Sequence, residues 1–76
     1  MTTTLDKVNP GQTAKITQIK AGKGLHNRLN HMGIHVGDTV MVKRQLGGPI
    51  IISLHNTELA IGRGIAKKII VSMNPE

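Results

Sequence analysis

The chain has 76 residues, with ten Lys and Arg against four Asp and Glu, and a formal net charge of +6. This length predicts one small domain over residues 1–76, and the absence of cysteine excludes a disulfide scaffold and any cysteine-ligated metal site. Phe, Tyr and Trp are also absent, which argues against single-stranded nucleic acid, usually held by aromatic stacking, and against proline-rich peptides, which dock in aromatic-lined grooves.

The first predicted strand covers residues 13–20, after a turn signal at Asn9-Pro10-Gly11. Ala14 and Ile16 alternate with polar residues and fall on one face. Ile19 breaks this alternation, and a break of this kind predicts a β-bulge or a strong bend.

No secretory signal or membrane span is expected in the sequence, so we expect a cytoplasmic protein.

One short helix is predicted over residues 25–32. Leu25, Leu29 and Met32 recur at helical spacing. Gly33 follows directly, at the place where a helix commonly ends with a left-handed residue. The segment from Arg28 to Asp38, which leads from the helix into the next strand, carries no nucleophile, acid pair or phosphate loop. This favours a binding module over an enzyme, and no catalytic residue is predicted.

Four further strands are predicted over residues 39–45, 50–55, 58–61 and 68–73. Gly47-Gly48-Pro49 and the two-residue turn Asn56-Thr57 connect them, and residues 62–67 are expected to form a single 3₁₀ turn. Five short strands separated by turn signals predict a mainly β fold, a small barrel with its one helix between the first and second strands. The predicted inward residues of these four strands are Val40, Val42, Ile50, Ile52, Leu54, Ile69, Val71 and Met73.

An ordered set of short motifs resembles the FeoA family of small proteins of ferrous iron uptake. The resemblance implies a five-stranded SH3-like barrel, the fold also found as the C-terminal domain of DtxR-type iron-dependent repressors. It further implies a non-enzymatic, cytosolic accessory role beside FeoB, a membrane transporter with a cytosolic GTP-binding region. The matching pieces are Leu5-xx-Val8-xx-Gly11, Ile16-xx-Ile19, Leu29-xx-Met32-Gly33-Ile34-xx-Gly37, Gly48-Pro49-Ile50 and Leu59-Ala60-Ile61-Gly62-Arg63-xx-Ala66-xx-Ile69-x-Val71.

The candidate metal ligands are the histidines, and Asp38 is the one carboxylate close to them in sequence. His31 and His35 are four residues apart, but Gly33 is expected to end the helix between them. They are therefore weak candidates for ferrous iron, and no other cofactor is expected. Most of the histidines are expected to be exposed or to face a partner.

The helix and the basic residues are the expected partner surface. The predicted partner-binding residues are Leu25, Arg28, Leu29, Met32, Arg63 and Lys67. A more specific hypothesis for this surface is that Arg28 or Arg63 reaches a nucleotide bound by the partner. On the opposite face of the strands, Met41, Ile51 and Ile70 are candidates for an apolar patch.

Two other functions are compatible with the sequence. A small basic barrel can bind structured RNA or ribosomes through phosphates, although no nucleic acid is the favoured expectation. A regulator that binds ferrous iron on its own is the second alternative. Self-association into a homo-oligomer is left open as well, as is the effect on the transporter: activation, inhibition or assembly.

Overall fold

The computed structural model describes residues 1–45 and 47–73. The described residues form six strands, two helices and one 3₁₀ turn, joined by loops. In chain order they are β1 (Thr2–Thr4), the 3₁₀ turn (Leu5–Lys7), β2 (Thr13–Ile19), α1 (Lys23–His31), β3 (Thr39–Arg44), β4 (Ile50–Leu54), β5 (Thr57–Ile61), α2 (Arg63–Ala66) and β6 (Ile69–Met73).

All six strands belong to one antiparallel sheet with the order β1-β6-β2-β3-β4-β5. The principal extents of the molecule are 29 × 25 × 22 Å, so the sheet curls around its core instead of lying flat. The register between β2 and β6 shifts between Ile16 and Gln18. This confirms the irregularity that the broken alternation at Ile19 predicts.

The mainly β class is confirmed, but the prediction of five strands is wrong by one. The additional strand is β1, which pairs with β6 so that Thr2 faces Ser72 and Thr4 faces Ile70. Three threonines offer no alternation of apolar and polar residues, and their pairing partner lies at the other end of the chain. Because of β1, the helix α1 lies between the second and third strands of the structure.

Two local predictions also need correction. The tight turn between β4 and β5 is formed by His55 and Asn56, whose φ angles are 52° and 64°, and not by Asn56-Thr57. Positive φ at both central residues is the mark of a type I′ hairpin turn. Residues 63–66 form a short α-helix where a 3₁₀ turn is predicted. The connection predicted at Gly47-Gly48-Pro49 follows Leu46, which lies outside the described residues.

The core is entirely aliphatic. The predicted inward residues of β3, β4 and β6 are buried, except that Met73 is half-buried. No polar or charged residue is buried in the described part of the chain. Burial of Ile, Leu and Val therefore stabilises this fold, at about 25 cal/mol for each Å² removed from water. The buried side chains are Leu5, Val8, Ala14, Ile16, Ile19, Leu29, Ile34, Val40, Val42, Ile50, Ile52, Leu54, Ile61, Ala66, Ile69 and Val71.

On the outer face of the sheet, Met41 and Ile70, two of the three residues suggested for an apolar patch with Ile51, lie far apart. Met41 lies opposite Thr13 at the start of β2, whereas Ile70 lies opposite Gln18 near its end. At about 3.3 Å per residue, these two positions on β2 are roughly 17 Å apart.

The longest described helix has nine residues, and no described helix has the length and apolarity of a membrane span.

Candidate functional site

The joint between α1 and β3 is built around Gly33. The N–H of Gly33 donates to the carbonyl of Asn30 (3.0 Å), and the N–H of Ile34 donates to the carbonyl of Leu29 (2.9 Å). These two hydrogen bonds, with Gly33 at φ 87°, form a Schellman motif. The helix therefore ends where the sequence predicts. Leu29 and Ile34, on either side of the motif, are both buried and fix α1 on the barrel.

The helix presents a mixed surface of charge and partly covered apolar side chains. Arg28 is exposed, and Leu25 and Met32 are half-buried against the core. Leu29 is fully buried, so it belongs to the core and offers no surface to a partner. The sequence predicts Leu29 on the partner surface, whereas the structure places it in the core.

The two remaining residues of the predicted partner surface differ in their surroundings. Lys67 is exposed at the C-terminal end of α2. Arg63 is half-buried, and its Nη2 donates to the backbone carbonyl of Gln45 at 3.1 Å. The Gln45 side-chain amide donates in turn to the carbonyl of Val8. Arg63 thus ties the end of β3 to α2 and is less available to a partner than Arg28.

The histidines are distributed over several environments. His26 is half-buried, and its Nε2 lies 3.0 Å from the carbonyl oxygen of Ile19. His31 is exposed in the last turn of α1, and the chain reverses at Gly33 before it reaches His35. The two weak metal candidates therefore do not share a helical face.

Asp38, just before β3, lies close to two imidazoles. Its Oδ2 is 3.8 Å from Nδ1 of His35, and its Oδ1 is 3.7 Å from Nε2 of His55. The proximity of His55 to this segment is not among the predictions from the sequence, and the tight hairpin after β4 is the signal that bears on it. In the positions that they occupy, no three His, Asp or Glu side chains of residues 1–45 and 47–73 make up a formed metal-binding group.

A second polar feature lies on the strands. Lys43 and Arg44 of β3 and Glu58 of β5 line an open depression on the surface of the sheet. Each of the three residues is exposed, so this depression is a solvated region of mixed charge.

Comparison with known proteins identifies the fold and the family. The FeoA domain family model matches residues 3–73. The chain belongs to the FeoA family. A relative from Methanocaldococcus jannaschii, a "Putative Fe(2+) transport protein A", is 44% identical over 61 residues, which cover 80% of this chain and 74% of the relative.

Solved structures of FeoA proteins have the same fold. The crystal structure of an "Iron Uptake Regulatory Protein (FeoA)" superposes with a TM-score of 0.90 at 32% identity, over 97% of this chain and 99% of that chain. The predicted SH3-like barrel is thereby confirmed, apart from the strand count. The structure of T. acidophilum IdeR shares the fold alone, with a TM-score of 0.86 at 18% identity over 96% of this FeoA chain and 35% of that chain.

Proposed function

We propose that this FeoA-family chain is a non-enzymatic accessory protein of ferrous iron uptake in the cytoplasm. In this proposal it docks on the cytosolic GTP-binding region of a FeoB-like membrane transporter and modulates transport. The family match over residues 3–73 and the name of the M. jannaschii relative support the link to ferrous iron transport.

The observation that carries the docking proposal is the arrangement of Arg28 on α1. Residues three and four apart on a helix are neighbours, so Arg28 lies beside Leu25 on one side and Met32 on the other. Arg28 is exposed and the two apolar side chains are only half-buried. Protein interfaces commonly combine apolar contact area with arginine, which keeps its charge and donates several hydrogen bonds. We define Leu25, Arg28 and Met32 as the helix surface.

Charge complementarity favours an acidic partner. The chain has a net charge of +6, and α1 has no acidic residue in its first turn and carries Arg28 and His31 in its last. Positive charge of this kind steers an acidic protein surface toward the helix and increases the association rate at low salt. Lys67 adds to the positive surface but lies on a different element from the helix surface.

The decisive experiment measures binding of the full chain to the isolated cytosolic region of a FeoB-like transporter. Arg28→Glu is expected to weaken binding about a hundredfold, because a reversed charge at a desolvated contact costs about 3 kcal/mol. Lys15→Glu is the matched control, since Lys15 is equally a surface cation but lies on β2. Arg28→Lys keeps the charge and should retain part of the affinity.

The outcomes separate this proposal from the alternatives. Melting curves of each variant establish that the fold is intact. Equal binding by wild type, Arg28→Glu and Lys15→Glu contradicts the helix surface. Binding of structured RNA whose affinity falls steeply with salt would instead favour the RNA reading, because phosphate contacts release counterions.

A further inference from the structure

Lys20 and Lys68 lie directly opposite each other where β2 ends and β6 begins. The sheet register pairs Ile19 with Ile69, and the N–H of Lys20 donates to the carbonyl of Lys68 at 2.8 Å, which continues the pairing by one residue. Ile19 and Ile69 are buried, so the alternation of the strands directs both lysine side chains to the outer face of the sheet. Cβ atoms of opposite residues are about 4.5–5.5 Å apart, and like charges at this separation destabilise the pair.

Two further lysines extend this pair. Lys67 directly precedes Lys68 and ends α2, and Lys23 is the first residue of α1. Lys23 follows Lys20 by three residues, so their Cα atoms are at most about 11 Å apart. All four side chains belong to exposed residues. We define Lys20, Lys23, Lys67 and Lys68 as the lysine patch.

The acidic residues do not compensate the lysine patch. Glu58 lies on β5, which the sheet order places three strands from β2 and four from β6. The side chain of Asp6 accepts a hydrogen bond from the Thr4 hydroxyl. Among residues 1–45 and 47–73, the ion pairs all join Asp38 to a histidine. No described carboxylate therefore neutralises these lysines, and their summed field attracts anionic partners.

We propose that the lysine patch binds the anionic phospholipid surface of a membrane. Positive side chains near such a surface are attracted by its negative potential. The patch contains lysine and no arginine: the planar arginine fork suits a phosphate of fixed geometry, whereas ammonium groups on flexible stems suit mobile headgroups. Ile70 is half-buried on the same outer face, two residues from Lys68, and adds apolar area of the kind that interfacial binding uses.

The expected strength is that of a supporting contact. Each lysine close to an anionic lipid surface increases partitioning about fivefold, so the four together give roughly 600-fold. Binding of this strength is reversible, because stable attachment to a membrane takes two signals. The second signal rests on the proposed function: docking on a membrane transporter would hold the chain at the bilayer, and each contact would then strengthen the other.

The test is co-sedimentation of the tag-free, full-length chain with vesicles of phosphatidylglycerol and phosphatidylcholine, compared with phosphatidylcholine alone. At low salt we expect binding to the anionic vesicles only. Lys20→Gln combined with Lys68→Gln should weaken it about 25-fold, because two charges are lost. The matched control combines Lys43→Gln with Arg44→Gln, which removes the same net charge from exposed positions beside Glu58, and it should weaken binding less than about threefold.

The stability of the patch variant provides a second measurement. Removing the opposed lysine pair relieves a repulsion, so the melting midpoint of this variant should be no lower than that of the wild type. A loss of vesicle binding without a loss of stability then belongs to the surface and not to unfolding.

Three results would overturn the proposal. The first is the absence of binding to anionic vesicles at low salt. The second is an equal loss in the two double variants, which would indicate attraction by net charge alone. The third is tighter binding to double-stranded RNA than to anionic vesicles, lost in the Lys20 and Lys68 variant, which would assign the patch to nucleic acid. The assay contains no transporter and leaves Arg28 unchanged, so this inference and the proposed function can fail separately.

Discussion

Replacing Gly33 by alanine should destabilise this protein through the backbone alone. Gly33 has φ 87°, and a Cβ built on it meets no atom within 4 Å. A left-handed backbone costs a residue with a side chain roughly 1–2 kcal/mol. Gly48 is the matched control, because its Cβ also meets nothing within 4 Å but its φ lies outside the left-handed range. Alanine lowers the entropy of the unfolded chain similarly at both positions, so the difference between the variants isolates the backbone penalty.

The free energies of unfolding should therefore differ by about 1–2 kcal/mol between Gly33→Ala and Gly48→Ala. For a domain of this size, each kcal/mol changes the melting midpoint by about 4–8 °C, so Gly33→Ala should melt roughly 4–16 °C lower. Far-UV circular dichroism in urea and on heating measures both quantities. Gly33→Asn should fall between the two, because asparagine tolerates the left-handed region. Equal midpoints for the two alanine variants would refute the argument that the Schellman motif requires glycine.

Three further predictions concern the core, the Arg63 contact and metal. Leu29→Ala should lower the free energy of unfolding by about 2–5 kcal/mol, because it leaves a cavity where a fully buried side chain was. A urea titration measures this loss, and an unchanged midpoint would contradict the burial of Leu29. Arg63→Met keeps the aliphatic stem but loses the donor to Gln45, so exchange of amide hydrogens near Gln45 should accelerate, while unchanged exchange would mean that this contact is not formed. EDTA should leave the far-UV spectrum and melting midpoint unchanged, since the aliphatic core needs no ion to fold.

Much of the fold was predictable from local patterns. The alternation of Val40 and Val42, and of Ile50, Ile52 and Leu54, is a period of two that places one face in the core. Gly33 predicted the end of the helix, because the left-handed backbone conformation that ends a helix is one that glycine adopts readily. These features depend on neighbours in sequence, and the structure confirms them.

What the sequence could not predict depends on contacts between distant residues. The strand Thr2–Thr4 is specified by its pairing with β6 and not by its own pattern. The turn at His55-Asn56 differs by one residue from the prediction because both residues adopt positive φ, which asparagine accepts readily and histidine less often. The proximity of His55 to Asp38 follows from this turn and from the β3–β4 register together.

The pairing of β1 with β6 has a consequence for the order of folding. Thr2 faces Ser72, and the N–H of Met73 donates to the carbonyl of Met1, so this edge joins the two extremes of the described chain. Closing a loop that spans almost the whole sequence costs the most conformational entropy. The contacts between β1 and β6 therefore become favourable only after the intervening strands have paired. We therefore expect β1 to dock last and to open first. A circular permutant that links the two ends and opens the chain at the exposed Gly48 should make the β1–β6 pairing local and transfer the long-range closure to β3 and β4. Amide hydrogens of β1 should then exchange more slowly than in the original chain order, and those of β3 and β4 faster.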